Sequence, residues 1–393
     1  MRQLKPNIYM AGAIDWDRRL FDELIPLPDG TSYNAYLIRG SEKTALLDTV
    51  DPTKTSVLID NLTRLKVDKL DYVVAHHAEQ DHSGSLPDIL LLYPQTKVVT
   101  NAKCRDMLID EMEIEEDRFI VIEDGQEISL GDKTLKFVFT PWVHWPETMA
   151  TYIKEDKILF PCDFFGSHLA TSNLYADENP VVYEGAKRYY AEIMMPFRGP
   201  IKKNLEKIAD LQIDMIAPSH GPVYNKPQLI IEAYKDWVSD DVKNEVIVAY
   251  VSMHGSTKKM VEYFVEALID RNIEVRQFNL TDTDTGKLAI SLVDAATMVF
   301  GAPTVLGGTH PAAAYAATLA NSLRPKTKFA SVIGSYGWAA RTAQQITTLI
   351  PHLKAEMLNP VIAKGVPKDA DYVELDRLAD DILARHKKIK IID

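Results

Sequence analysis

Along the first half of the chain, apolar residues come in short runs broken by turn formers. This is the spacing of strands rather than of long helices. Residues 32–38 and 44–48 read as paired β segments, and 70–75 (LDYVVA) reads as a buried strand from its β-branched run. Residues 97–100, 135–140, 150–153, 157–160 and 214–218 continue the series. Apolar residues at helical spacing intervene near 54–65, 87–92, 102–107, 185–194, 202–211 and 227–238. Strands and helices mixed in this way predict a layered α/β sandwich. Past the polar run Ser239-Asp240-Asp241-Val242-Lys243-Asn244 the pattern becomes a regular βα alternation. Strands are expected near 246–251, 274–279, 297–301, 328–334 and 359–364, with helices near 258–271, 311–321, 340–353 and 372–386. That alternation predicts a parallel, doubly wound sheet. The expected division is 1–243 and 244–393.

Composition narrows the classes. The 393 residues suit two or three domains of roughly 150 residues each. Hydrophobic residues at 46% and charged residues at 25% are ordinary for a globular chain. A net charge of -12 speaks against nucleic acid or an anionic membrane surface as partner, since both need clustered Lys and Arg. Cys104 and Cys162 are too few for a disulfide framework, a CxxC pair or a four-cysteine iron site. Residues 1–6 (MRQLKP) lack the apolar core of a signal peptide, and no run approaches the roughly 20 apolar residues of a membrane span. The expectation is a cytoplasmic chain with no membrane or nucleic-acid partner.

The chemistry concentrates in His77-Ala78-Glu79-Gln80-Asp81-His82, four potential ligands in six residues directly after a strand. A loop at that place can turn several side chains to one point. His144 (FTPWVHWPET), Asp163 (ILFPCDFFG) and His220 (IAPSHGPVY) each follow another expected strand. Any one of these reads as a surface polar group or a satisfied core histidine. Seven donors on one rim of an α/β layer read as two metal sites bridged by Asp163. One site would use His77, Glu79 and His144, and the other Asp81, His82 and His220. Imidazole with carboxylates and no thiolate suits iron, manganese or zinc. Asp48 is expected to orient a ligand or cap a strand end, His76 to face away, and His168 to lie near the site or at the surface. Cys162 is expected to be a small buried side chain.

The second half offers a different cradle. Ser252, Met253, His254, Gly255, Ser256 and Thr257 lie between the first strand and its helix. Hydroxyls, backbone N–H groups and a helix N-terminus there suit a monophosphate such as that of FMN. Neither GxGxxG nor GK[ST] is present, which disfavours NAD and ATP. The segment 301–308, with Pro303, Thr304, Val305, Leu306 and Gly307, follows the third strand. Ser335, Tyr336, Gly337 and Trp338 follow the fourth. Both belong on the rim of the phosphate loop, where small residues admit a flat ring and Tyr336 or Trp338 can stack on it. His254 and His310 are explained by loop polarity.

The hexapeptide, with His144, Asp163 and His220, resembles the metallo-β-lactamase fold, whose usual loop is HxHxDH. Glu79 in place of the second His, together with HWPET and APSHG, resembles the flavodiiron proteins, also called A-type flavoproteins. The stretch near 245–393 resembles flavodoxin. The resemblance implies an αββα sandwich followed by a flavodoxin-like sheet. It implies two iron ions rather than zinc, with FMN passing electrons to them. It further implies reduction of O2 to water or of NO to N2O, in a head-to-tail homodimer or dimer of dimers. The electron donor is expected to be a separate rubredoxin-like protein or reduced F420 (F420H2). Competing expectations are a zinc-dependent hydrolase of metallo-β-lactamase type and an electron carrier with a degenerate metal site. Glu79 and the flavin cradle weigh against the first, and the complete ligand set weighs against the second.

Overall fold

The computed structural model describes residues 2–178 and 181–393. The chain divides into two compact units. One runs from the N-terminus to Tyr190 and resumes over Phe197–Val238; the other comprises Ala191–Pro196 and Ser239–Asp393.

The first unit contains a seven-stranded sheet. Its order across the sheet is Arg2–Lys5, Ile8–Met10, Tyr36–Arg39, Thr44–Leu47, Tyr72–Val74, Lys97–Thr100 and Phe119–Val121. Successive side chains on a strand face opposite sides, and here both sides are apolar. Leu37, Leu46, Val73 and Val98 point to a core shared with Leu58, Leu62, Ile89 and Leu108. These come from the helices Thr55–Arg64, Leu86–Leu92 and Ala102–Met112. Their neighbours Ile38, Leu47, Val74 and Val99 point the other way, to a core with Leu135, Phe137, Met149, Ile153 and Phe160. Those residues belong to a second, five-stranded sheet: Glu127–Ser129, Thr134–Phe139, Met149–Ile153, Ile158–Phe160 and Met215–Ile216. The helix Arg198–Ile208 is tied to this sheet, with Asn204 Nδ2 donating to the Pro141 carbonyl at 3.1 Å and Lys207 Nζ to that of Phe139 at 2.7 Å. This is the expected αββα sandwich. The short N-terminal strands and Glu127–Ser129 were not legible in the sequence pattern.

The second unit is a parallel sheet ordered Glu274–Asn279, Lys243–Tyr250, Ala295–Val305, Phe329–Tyr336 and then Val361–Lys364, with Glu356–Met357 also pairing the fourth strand. Numbered by chain position that order is 2-1-3-4-5, the doubly wound flavodoxin arrangement. Met260, Val261, Phe264 and Leu268 of the helix Ser256–Ile269, with Leu375, Leu378 and Ile382 of Asp369–Lys388, cover one face over Val246, Val248, Val299 and Ile333. The helix Thr285–Leu292 was not anticipated. Two segments expected as loops prove partly extended. Gly301–Val305 prolongs the third strand into a hairpin with Gly308–Thr309, and Gly334–Tyr336 prolongs the fourth.

Candidate functional site

The strand Tyr72–Val74 ends just before His76 and His77. Glu79 precedes a single helical turn, Gln80–Ser83, which carries Asp81 and His82. The hexapeptide is therefore not wholly a loop as expected, for two of its four donors sit on a short helix. His144 lies between the strands Thr134–Phe139 and Met149–Ile153, and Asp163 follows Ile158–Phe160. His220 follows Met215–Ile216. Its loop is clamped by Asn34, whose Nδ2 donates to the Pro218 and Gly221 carbonyls at 2.9 and 2.7 Å, and by the Tyr36 hydroxyl at 2.7 Å from the Pro218 carbonyl. Gly221 stands at φ +79°, and a Cβ there would meet Ser167 Oγ at 2.0 Å.

The structure brings the seven side chains into two adjoining groups. In one, Nε2 of His77 and Nε2 of His144 lie 3.1 and 3.0 Å from Glu79 Oε2, and each lies 3.5 Å from Asp163 Oδ2. In the other, Nε2 of His82 and Nε2 of His220 each lie 3.2 Å from an oxygen of Asp81, and 3.0 and 3.2 Å from Asp163 Oδ1. Asp163 thus turns one oxygen to each group. Donors around one ion at about 2.1 Å are themselves about 3 Å apart at right angles, which is the spacing seen.

The donors fit metal ions for a further reason. His77 Nδ1 lies 2.6 Å from Glu147 Oε1, and His220 Nδ1 lies 2.7 Å from the Ser32 carbonyl. These partners only accept, so each Nδ1 carries a proton and the neutral ring has a bare lone pair at Nε2. Those Nε2 positions face carboxylate oxygens, an arrangement that demands positive charge between them, either a proton on each Nε2 or a metal ion. Both oxygens of Asp81 and of Asp163, with His82 Nε2, are buried without a hydrogen-bond partner. Burial alone would depress the histidines. Carboxylate neighbours outweigh it, holding His77 well above the usual range and raising His220 to about 10. Burial works against ionisation of Asp163, but His82, His220 and His77 hold it well below the carboxylate range.

Around this pocket, His76 is not among the converging donors. Its Nδ1 and backbone N meet Asp48 at 2.6 and 2.8 Å, and its Nε2 meets Thr151 Oγ1 at 2.7 Å. Asp48 thereby fixes the chain where it enters the hexapeptide. His168 is buried, paired with Thr31 Oγ1 at 2.8 Å and 4.9 Å from the His220 ring. Burial, then His220, keeps its ring well below the usual histidine range. Cys162 is buried with its Sγ 3.8 Å from His82 Nδ1. Sequence reasoning missed Glu147, Tyr189 and Trp145. The Trp145 ring stands edge-on to His77 at 4.9 Å, and Tyr189 packs 5.7 Å from His220. For Glu147 the available signal was its place in HWPET, three residues after His144.

In the second unit a cavity of about 270 Å³ is lined by Ser252, Met253, His254, Ser256, Thr257, Pro303, Thr304, Ser335, Tyr336 and Gly337, all anticipated, and by Gly365, which was not. Thr257 Oγ1 and Ser335 Oγ are 2.9 Å apart and tie the first cradle segment to the third. Gly255 at φ +85° opens the helix without a capping side chain of its own, and Ser252 Oγ accepts from Lys258 N at 3.2 Å. Gly334 passes so close to the Ala302 carbonyl that a Cβ would stand 2.2 Å from it. Val305, Leu306, Gly307 and Trp338 do not line the cavity. Leu306 and Trp338 are 97% and 80% exposed, and the Trp338 ring lies beside Gly307, 3.6 Å from where a Cβ would stand. His310 caps the helix Pro311–Leu323 through Nδ1. The hydroxyls, helix N-terminus and glycine approach suit a phosphate joined to a flat ring.

Residues 31–221 match the protein family described as ODP family beta lactamase. Over 391 residues the chain is 36% identical to the nitric oxide reductase of Moorella thermoacetica, covering 96% of this chain and 97% of that one. Among solved structures it is similar to the rubredoxin:oxygen oxidoreductase of Desulfovibrio gigas, with a TM-score of 0.94 and 28% identity over 98% of each chain. It is also similar to the flavodiiron protein of Giardia intestinalis, with a TM-score of 0.91 and 28% identity over 98% of this chain and 96% of that one.

Proposed function

Since this chain belongs to the flavodiiron protein family, we propose that its seven converging donors hold the two irons and that the cavity of the second unit holds FMN. The protein is an oxidoreductase that reduces O2, NO or both at a non-haem diiron centre, with electrons delivered through FMN. In this reading His77, Glu79 and His144 bind one iron, Asp81, His82 and His220 the other, and Asp163 bridges them. The observation that carries it is the Asp163 carboxylate, buried, unpartnered and turned by one oxygen to each group.

When bound, the irons supply open coordination positions for a small diatomic molecule, and FMN supplies electrons singly. The residues of the chain set the conditions. Glu79 adds an anionic oxygen, which favours ferric charge over the all-histidine set of a zinc hydrolase. Glu147 and the Ser32 carbonyl fix the rings of His77 and His220 with Nε2 inward. Trp145 and Tyr189 pack against the His77 and His220 rings and help hold them in place. Ser252, Ser256 and Thr257 would hold the FMN phosphate, and Pro303, Thr304, Ser335, Tyr336 and Gly337 would border its ring.

The donor is proposed to be a rubredoxin-like protein or F420H2, the assembly a head-to-tail homodimer or dimer of dimers, and the location the cytoplasm. Among the described residues no helix is long and apolar enough to cross a membrane. The test is metal and flavin analysis of the purified protein, then anaerobic reduction and stopped-flow mixing with O2 and with NO. Two irons and one FMN per chain, with consumption of either gas, are expected. Zinc without iron would return the hydrolase, and no consumption of either gas would return the electron carrier.

A further inference from the structure

By donor type the two proposed iron positions are alike. Each has two imidazole nitrogens, one carboxylate of its own and one oxygen of Asp163. The atoms behind the rings break that likeness. The outer nitrogen of His77 meets the Glu147 carboxylate at 2.6 Å, with both side chains buried. The outer nitrogen of His220 meets a neutral carbonyl, and that of His82 meets the Cys162 thiol at 3.8 Å. Asp48 lies within 4.8 Å of His82 and Cys162, but its oxygens already serve His76. Among the described residues, His77 is the one candidate ligand whose outer nitrogen has a carboxylate at hydrogen-bond distance.

Glu147 is also held firmly. Its Oε1 accepts from Ala78 N at 3.1 Å. Its carbonyl accepts from Asn101 Nδ2 at 2.6 Å, while Asn101 Oδ1 caps the helix Ala102–Met112 by accepting from Cys104 N at 3.1 Å. An anion behind an imidazole N–H pushes electron density onto the inner nitrogen, making it a better donor to a more highly charged metal. Burial leaves that effect little screened.

We propose that Glu147 is a positioning residue that makes the two irons unequal, giving the iron held by His77, Glu79 and His144 the lower reduction potential. On one-electron reduction of the oxidised centre, the added electron settles at the iron of Asp81, His82 and His220. That position is the first to become ferrous, and so the first able to take a ligand that binds ferrous iron. This rests on the ligand assignment proposed above.

The experiment is an anaerobic redox titration of the holoenzyme and of Glu147→Gln, followed by electron paramagnetic resonance of the odd-electron state, with iron counted in each sample. The glutamine keeps size and hydrogen bonding but removes the charge. Wild-type protein should show two separated one-electron steps. In E147Q the lower step should move up toward the higher, and the largest odd-electron signal should fall at least twofold. Asn101→Ala, which loosens Glu147 without touching a ligand, should move the same step the same way by less, and it stands in for E147Q should that variant load iron poorly. Cys162→Ala, next to His82, should leave the lower step in place. Two irons with unchanged potentials in E147Q, or an equal upward move of the lower step in C162A, overturns the inference. A wild-type protein without two irons overturns the ligand assignment instead.

Discussion

Asp163 presents Oδ2 to the His77–Glu79–His144 group and Oδ1 to the Asp81–His82–His220 group. Asp163→Ala should remove the shared donor from both positions at once, and iron should fall from two to one or fewer per chain by elemental analysis. Retention of both irons would show that the two positions do not depend on the bridge. The donors were legible because four of them crowd one hexapeptide and the rest follow strands. Glu147 was not singled out, because its place in HWPET marks the motif but not what the carboxylate meets. Its role comes from meeting His77 across 70 positions of sequence. His76 was separable from His77 by the alternation of an extended strand, which turns neighbours to opposite sides.

Elements place these residues, and small changes in them should act on one position rather than on the whole site. Gly221 is needed by its left-handed backbone and by Ser167, so Gly221→Ala strains the loop by roughly 1–2 kcal/mol and displaces His220. Iron in G221A should approach one per chain, with the loss at the Asp81–His82–His220 position. The helix Asp369–Lys388 offers a pH test. His386 is buried, with Nδ1 2.8 Å from Asn244 Oδ1 and Nε2 2.7 Å from Thr297 Oγ1. Asn244 Nδ2 donates to the Asn272 carbonyl, so its Oδ1 accepts from His386 Nδ1–H and Thr297 donates to Nε2. Burial disfavours the charged ring and holds its pKa down to about 4 from 6.5. Because the folded value is the lower one, stability is whole above about pH 6.5 and is lost as pH falls from there to about 4, by at most about 1.4 kcal/mol per unit. Urea midpoints at pH 7 and pH 5 should differ in wild type and differ less in His386→Gln. The long regular elements were legible, whereas three-residue strands near the N-terminus are too short to show an alternation. Gly301–Val305 was read as a loop from its Gly and Pro. It is a strand because Pro303 lies beyond the last pairing with Lys243–Tyr250, at Gly301, so a missing N–H costs no ladder bond on that side.

At the scale of the molecule, charge is divided unevenly. Residues 1–238 carry 26 Lys and Arg against 38 Asp and Glu, whereas residues 239–393 carry 18 of each. The entire net charge of -12 therefore belongs to the part with the converging carboxylates. A ligand stabilises the unit that holds it, by about 2.7 kcal/mol at a hundredfold excess over its Kd. Chelation of iron should lower the calorimetric transition of the first unit, and stripping of FMN should lower that of the second. A single transition that moves equally in both cases would show that the units unfold as one. The seven metal donors all lie between His77 and His220, whereas the flavin cradle begins only at Ser252. A growing polypeptide therefore completes the proposed iron pocket before any of the proposed flavin pocket exists. On the proposed ligand assignment, every metal donor has been synthesised before the first residue of the flavin cradle, so the order of synthesis allows the metals to be loaded first.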